Sequence, residues 1–162
     1  MSQHSSAMPG RVLAIDWGLA RIGLAVSDAT RTLATPLPAL HEKDKRAQIE
    51  KVVALVATEE ITRVIVGLPL HLDGAESPSS QAARRYAEKL ATRVGVPVEL
   101  HDERYTSVEA ESRLDDLDGL DGRGGRGGRG GRARDKRSDK GRIDSASAAV
   151  LLQSVLDREA SR

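Results

Sequence analysis

The sequence predicts a single α/β domain whose mixed sheet, an antiparallel hairpin plus parallel strands, is flanked by helices. Two apolar strand patterns lie close together near the start, at Arg11–Trp17 and Ile22–Val26. Strands joined by so short a turn pair antiparallel, whereas strands joined through a helix pair in parallel. Helix and strand patterns alternate after the hairpin, and an apolar helix pattern closes the chain from Ile143 to Glu159. At 162 residues the chain is long enough for one such domain and its core.

Each element between the hairpin and the last helix has a local signature. Apolar residues at helical spacing mark Asp44–Glu60, and the β-branched run Thr62–Val66 is typical of a buried parallel strand. Ser77 followed by Pro78 is typical of a helix N-cap and first helical position. The remaining predicted elements are a strand around Thr32–Thr35 stopped by Pro36 and Pro38, a loop at Gly67–Glu76, a helix from Pro78 to Val94, a strand at Val96–Leu100 and a helix from Thr106 to Leu117.

The composition excludes several classes of function. There is no Cys, so thiol catalysis, disulfides and cysteine-ligated zinc are excluded. With no Phe, one Trp and two Tyr, recognition of single strands by base stacking is disfavoured. Residues 1–10 are polar and lack the apolar core of a signal peptide, so we expect a disordered leader before a domain at residues 11–162. No apolar run approaches the length of a membrane span. The absence of Cys fits a cytoplasmic location, which we expect.

The net charge of +1 conceals a strongly basic segment. Nine Lys or Arg and two Asp between residues 123 and 142 give +7 there, while 16 basic and 22 acidic residues elsewhere give −6. Residues 119–141 contain Arg-Gly-Gly repeats without a helix or strand pattern, which predicts a flexible Arg/Gly-rich basic loop. A basic segment on an acidic body is typical of an arm that contacts phosphates. A simple spacer is the alternative interpretation of the repeats.

Three acidic residues lie where a core element begins or ends. Asp16 lies near the end of the first strand, and Glu103 follows the Val96–Leu100 strand by a few residues. If those two strands are adjacent and parallel, both acids emerge at the end of the sheet where sites of α/β proteins form. Asp144 opens the last helix, and apolar residues at helical spacing place it on the stripe that faces the sheet. Those apolar residues are Ala148, Leu151 and Val155.

Three converging carboxylates predict a site for divalent cations. Their charges repel unless a cation holds them, and oxygen ligands alone favour Mg²⁺ or Mn²⁺ over zinc. Two such ions roughly 3.5–4 Å apart can activate a water and stabilise the leaving oxygen of a phosphodiester. Each acid alone also has a plainer interpretation. These are a turn residue for Asp16, an ion pair with Arg104 for Glu103 and a helix N-terminal acid for Asp144.

Four sequence blocks resemble, in order, the signature blocks of the YqgF/RuvX family of Holliday-junction-resolvase-like nucleases. They are AIDWGLARIGLAVSD (14–28), VGLPLHLDG (66–74), DERYTSVEA (102–110) and IDSASAAVLLQSVLD (143–157). The resemblance implies a ribonuclease H-like fold in which Asp16, Glu103 and Asp144 are the metal-binding catalytic acids. It also implies hydrolysis of phosphodiester bonds by a metal-activated water. Family members are linked to maturation of the 5′ end of pre-16S ribosomal RNA, and some to cleavage of branched DNA.

Basic residues near the acids are the expected substrate contacts. Lys136, Arg137, Lys140 and Arg142 precede the last helix and are expected to lie near the cleaved phosphate. Arg104 is expected either to clamp a phosphate or to pair with an acid. Every phosphate that these residues neutralise should make binding more dependent on salt. A solvated loop without substrate contacts is the alternative.

Two other classes of function stay open. The first is a nucleotide-dependent phosphotransferase, because the sequence Asp16-x-Gly18 before a hairpin also resembles the phosphate-binding opening of sugar kinases, actin and Hsp70-type ATPases. Those proteins, however, need two lobes around the nucleotide. A non-catalytic nucleic-acid-binding module is the other class, and the presence of all three acids argues against it. For a nuclease, the expected partner is structured RNA or branched DNA, no membrane is involved, and the chain acts as a monomer or a homodimer.

Overall fold

The computed structural model describes residues 9–18, 21–71, 73–103 and 136–162, and in the last helix it describes side chains from Ser145 onward. The strands are β1 (Arg11–Asp16), β2 (Arg21–Ser27), β3 (Ala34–His41), β4 (Ile61–Leu68) and β5 (Val98–Asp102). The helices in these residues are α1 (Lys45–Thr58), α2 (Pro78–Ala91) and α3 (Lys136–Ala160).

These strands form one mixed sheet in the order β3-β2-β1-β4-β5. The pairs β3–β2 and β2–β1 are antiparallel, whereas β1–β4 and β4–β5 are parallel. Helices α1 and α2 cover one face of the sheet, and α3 covers the other. The predicted fold, a mixed sheet flanked by helices in a single domain, is confirmed. Within the described ranges, no helix is long and apolar enough to cross a membrane.

Strand β1 shows how the sheet distributes its side chains between the two faces. Leu13 and Ile15 pack in the core under α1 and α2, while Val12 and Ala14 pack under α3. Because successive side chains of a strand point to opposite faces, Asp16 continues the row that faces α3. The active-site acid predicted in this strand is therefore directed towards the helix that carries Asp144.

Helices α1 and α2 both begin at capped residues. The Asp44 carboxylate accepts hydrogen bonds from the backbone N–H groups of Arg46 (2.8 Å) and Ala47 (3.0 Å). The predicted N-cap Ser77 is confirmed, because its hydroxyl accepts from the Ser80 N–H (3.1 Å) and the Ser80 hydroxyl accepts from the Ser77 N–H (2.8 Å). These bonds satisfy backbone donors that the first turn of a helix leaves unpaired.

Helix α3 runs antiparallel to β1. The Gln153 side chain accepts a hydrogen bond from the backbone N–H of Ala34 (2.9 Å), at the level where β1 begins. Further along the helix, Glu159 forms an ion pair with Arg63 (2.5 Å) near the start of β4. Since the C-terminal part of α3 lies at the amino ends of β1 and β4, its N-terminal part runs towards their carboxyl ends.

The third strand differs from its prediction. β3 passes through Pro36 and Pro38, which were expected to stop it. The strand lies at the edge of the sheet, and an edge strand has one side without a ladder, so a residue that lacks an N–H is tolerated there. The sequence shows the prolines but does not show that this strand is at the edge.

The last helix begins earlier than predicted. α3 starts at Lys136 instead of Ile143, so residues 136–141 are helical and not part of the predicted loop. Lys and Arg are good helix formers, but they carry no apolar periodicity from which a helix could be read. The rest of that loop and the predicted helix at Thr106–Leu117 lie outside the described residues.

Candidate active site

The carboxyl end of the sheet brings two of the predicted acids together. Asp16 is the last residue of β1, and Glu103 directly follows Asp102, the last residue of β5. The backbone N–H of Glu103 donates to the carbonyl of Leu68 (3.2 Å), which ties this residue to the end of β4. The side chains of Asp16 and Glu103 are joined by a hydrogen bond. Both acids thus emerge at the same end of the sheet, although β4 lies between β1 and β5 and the condition that these two strands are adjacent is not met.

Gly67 of β4 allows the two acids to meet. Strands on either side of β4 are roughly 10 Å apart, which is two strand spacings. Ile15 of β1 pairs with Val66, so the next residues, Asp16 and Gly67, lie side by side. A Cβ atom on Gly67 would lie 1.9 Å from Glu103 Oε1 and 2.5 Å from its Cδ. The Glu103 side chain therefore crosses directly above the bare backbone of Gly67 to reach Asp16.

This role of Gly67 was missed in the sequence, where the residue was assigned to a loop. β4 extends to Leu68, two residues beyond the predicted strand. The sequence does contain a sign of this role, since a glycine directly follows the β-branched run Thr62–Val66. Glycine in a strand often marks the close approach of another group.

The surroundings of Glu103 perturb its ionisation. The pKa of Glu103 is raised from an ordinary 4.5 to about 8, and burial is the largest cause. The negative charge of Asp16 and the hydrogen bond between the carboxyl groups also raise this pKa, and the charge of Asp102 adds to it. Near neutral pH, the Asp16–Glu103 pair therefore shares one proton.

The third predicted acid, Asp144, lies in α3, and its side chain is outside the described residues. The stripe predicted to follow it does face the sheet, since Ala148, Leu151 and Val155 are buried. Among the described side chains, no group of three acidic, histidine or cysteine residues could hold a metal ion. Coordination by Asp144 therefore stays a prediction.

The predicted substrate contacts also stay predictions. Arg104 is outside the described residues. Lys136, Arg137, Lys140 and Arg142 lie in the first turns of α3, and the structure describes the backbone there but not these side chains. They belong to the helix that carries Asp144 instead of to a preceding loop.

The fold belongs to the ribonuclease H-like class. RuvC from T. thermophilus in complex with Holliday junction substrate superimposes with a TM-score of 0.59 over 93% of this chain and 96% of that chain. A second T. thermophilus RuvC structure gives a TM-score of 0.54 with the same coverage. The sequence identities are 14% and 15%, so this likeness shows the fold.

Comparison of the sequence with known proteins identifies the family. Residues 10–158 match RuvX, described as Holliday junction resolvase. A protein of Anaeromyxobacter dehalogenans (strain 2CP-C), named "Putative pre-16S rRNA nuclease", is 41% identical over 93% of this chain and 98% of its own length. Proteins of the same name from Koribacter versatilis and Escherichia coli O157:H7 are each 38% identical, over 96% and 93% of this chain and 92% and 99% of their own lengths.

The chain belongs to the RuvX family, as its four sequence blocks predicted. It is an enzyme that hydrolyses phosphodiester bonds, and its substrate is nucleic acid. Nucleases of the RuvC and RuvX type depend in general on divalent metal ions.

Proposed function

We propose that this chain is a metal-dependent nuclease that binds Mg²⁺ or Mn²⁺ with Asp16, Glu103 and Asp144, and that it processes the 5′ end of pre-16S ribosomal RNA. The observation that carries the proposal is the contact between Asp16 and Glu103 above Gly67. Two acids from distant parts of the chain meet at the carboxyl end of the sheet, where sites of α/β proteins form. Holding two half-buried carboxyl groups against each other is costly for folding, so a function of the pair is the better explanation.

The donor set fits a divalent cation. Carboxylate oxygens are the ligands that Mg²⁺ and Mn²⁺ prefer, and a cation between Asp16 and Glu103 would take the place of their shared proton. When bound, the metal supplies activation of a water and stabilisation of the leaving oxygen. The protein's part is to hold the two carboxylates at a fixed separation, with Glu103 resting on Gly67 and anchored through its backbone to Leu68.

The course of α3 supports Asp144 as the third ligand. Gln153 lies level with Val12 at the amino end of β1. From Gln153 to Asp144 the helix rises roughly 13 Å, and from Val12 to Asp16 the strand also rises roughly 13 Å. Because the helix and the strand are antiparallel, Asp144 is expected to lie level with Asp16, on the face of the sheet that Asp16 points to.

We assign phosphate binding to the basic residues that adjoin these acids in sequence. Lys136, Arg137, Lys140 and Arg142 precede Asp144, and Arg104 follows Glu103. Positive charge at either side of the acids would hold the nucleic-acid backbone on both sides of the cleaved bond. Such contacts position the substrate without reading its sequence.

Ribosomal RNA is proposed as the substrate because the relatives at 38–41% identity are named for it. Branched DNA is the alternative, favoured by the family's description as Holliday junction resolvase. Cleavage of a four-way junction needs two active sites and therefore a homodimer, whereas processing of an RNA end needs only a monomer. Either substrate is compatible with the cytoplasmic location that we propose.

A cleavage panel tests the proposal. The purified full chain would be incubated in Mg²⁺ or Mn²⁺ with precursor ribosomal RNA, linear duplex DNA and a four-way junction. We expect cleavage of the precursor RNA, loss of cleavage in Asp16→Asn with binding retained, and wild-type cleavage in the control Asp157→Asn, an exposed acid near the end of α3. Equal cleavage by wild type and Asp16→Asn would refute the site, and preference for the junction would replace the RNA substrate with branched DNA.

A further inference from the structure

We propose that the groove between α1 and α2 is a second nucleic-acid contact, which binds phosphates of a substrate arm away from the cleaved bond. The inference rests on the proposed nuclease function and extends it to the opposite side of the sheet. The groove has a volume of about 500 Å³. Of the six described residues that line it, four are basic and none is acidic. The lining residues are Lys45, Arg46, Ile49, Lys89, Thr92 and Arg93.

Two of the four basic residues in the groove form no ion pair in the described part of the chain. Arg93 pairs with Glu50, an exposed residue of α1. The side chains of Arg46 and Lys89 form no ion pair within the described part of the chain, and both residues are exposed. The carboxylate of Asp44, the cap of α1, lies near enough to Arg46 for the two charges to interact. Arg46 on α1 and Lys89 on α2 therefore place cationic groups without an ion pair on both helical walls of the groove.

The groove adjoins the candidate active site through Trp17. This residue follows Asp16 but packs on the other face of the sheet, where its ring lies 6.2 Å from that of Tyr86 in α2. The ammonium group of Lys45 lies 5.1 Å from the centre of the Trp17 ring, a distance at which the ring attracts the cation. A nucleic acid that leaves Asp16 across the carboxyl end of the sheet would therefore meet Lys45 at the edge of the groove.

The chemistry of the groove suits a phosphodiester backbone more than bases or an acidic protein. A duplex presents one negative charge per roughly 1.7 Å of its axis, so successive phosphates can meet cations on both walls. None of the described residues that line the groove is aromatic, so these residues offer bases no surface for stacking. Since the enzyme's substrate is already a polyanion, an arm of that substrate is the occupant that the charge favours.

The test compares two double variants of the full chain. Arg46→Gln with Lys89→Gln removes two groove charges. The matched control, Lys51→Gln with Arg85→Gln, removes two exposed charges from the same helices outside the groove. Binding of a labelled hairpin RNA with a long stem would be measured by fluorescence anisotropy in metal-free buffer, between about 50 and 200 mM salt. A short oligonucleotide that covers only the cleaved linkage would be measured alongside.

For the groove variant we expect hairpin affinity to fall on the order of tenfold at low salt, and the slope of log K against log salt to become shallower by about 2. In the groove variant, the ratio of the hairpin affinity to the short-oligonucleotide affinity should be smaller than in the wild type. The control variant should keep the wild-type salt slope. Equal slopes for the two double variants would overturn the inference. If the wild type cleaves no nucleic acid, the proposed function is overturned instead. The salt slopes of the two double variants can still be compared in that case.

Discussion

Replacing Gly67 with alanine tests how the two acids are held together. The added Cβ would lie 1.9 Å from Glu103 Oε1, whereas ordinary contacts begin at about 3.4 Å, so the carboxylate must move by about 1.5 Å. A misplacement of about 1 Å in a catalytic group can reduce the rate roughly 100-fold. We therefore expect cleavage to fall at least about 100-fold. The backbone of Gly67 is not in the left-handed region, so alanine should leave the fold intact and change stability by no more than about 2 kcal/mol.

The assay is cleavage of the precursor RNA as a function of Mn²⁺ concentration, together with urea unfolding. In Gly67→Ala the Mn²⁺ concentration needed for half-maximal rate should rise, which a loss of fold stability alone would not cause. Gly95→Ala is the matched control, because a Cβ at Gly95 would have no neighbour within 4 Å. A folded Gly67→Ala protein with wild-type cleavage and wild-type metal dependence would refute the idea that Glu103 must rest on Gly67.

Three further predictions concern the proton on the acids, the cap of α2 and the basic loop. In metal-free protein, the contribution of Glu103 to the free energy of unfolding should fall by roughly 1 kcal/mol per pH unit as the pH rises from 4.5 towards about 8, because the folded state keeps a proton on Glu103 that the unfolded state has lost. Urea unfolding across this range should show that slope, and Glu103→Gln should flatten it; an equal slope in the variant would contradict the raised pKa. Ser77→Ala should destabilise the protein by about 1 kcal/mol through loss of the α2 cap, while the exposed Ser79→Ala should be neutral, and equal thermal melting of the two variants would contradict the capping role. Deletion of Gly122–Gly131 should weaken RNA binding and make its salt dependence shallower; an unchanged slope would identify the repeats as a spacer.

The alternation of apolar patterns predicted most of the fold. The Ile22–Val26 and Thr62–Val66 runs became strands, and the Ser77-Pro78 signature became the start of α2. The sequence of a single segment does not show which strands lie next to it in the sheet. The prolines of β3 are tolerated only because that strand lies at an edge, and the position of β4 between β1 and β5 follows from pairing across the whole chain.

The same limit applies to the candidate site. Asp16 and Glu103 could be predicted as site residues from the sequence because each lies at or just after the end of an apolar strand. A charged side chain at the end of a buried strand indicates a partner or a function. Gly67 could not be chosen with equal ease, because its contribution is the absence of a side chain beneath Glu103. The groove between α1 and α2 was also missed, since Arg46 and Lys89 are brought together only by the packing of two helices.

Metal binding by single-acid variants tests the account most directly. Calorimetric titration of Mn²⁺ into wild type, Asp16→Asn, Glu103→Gln and Asp144→Asn would be compared with the distant control Asp157→Asn. If the three acids share one site, each of the three variants should bind Mn²⁺ at least about tenfold more weakly, and the control should match wild type. Wild-type affinity in Asp144→Asn, or in either of the other two, would contradict a common site at the carboxyl end of the sheet.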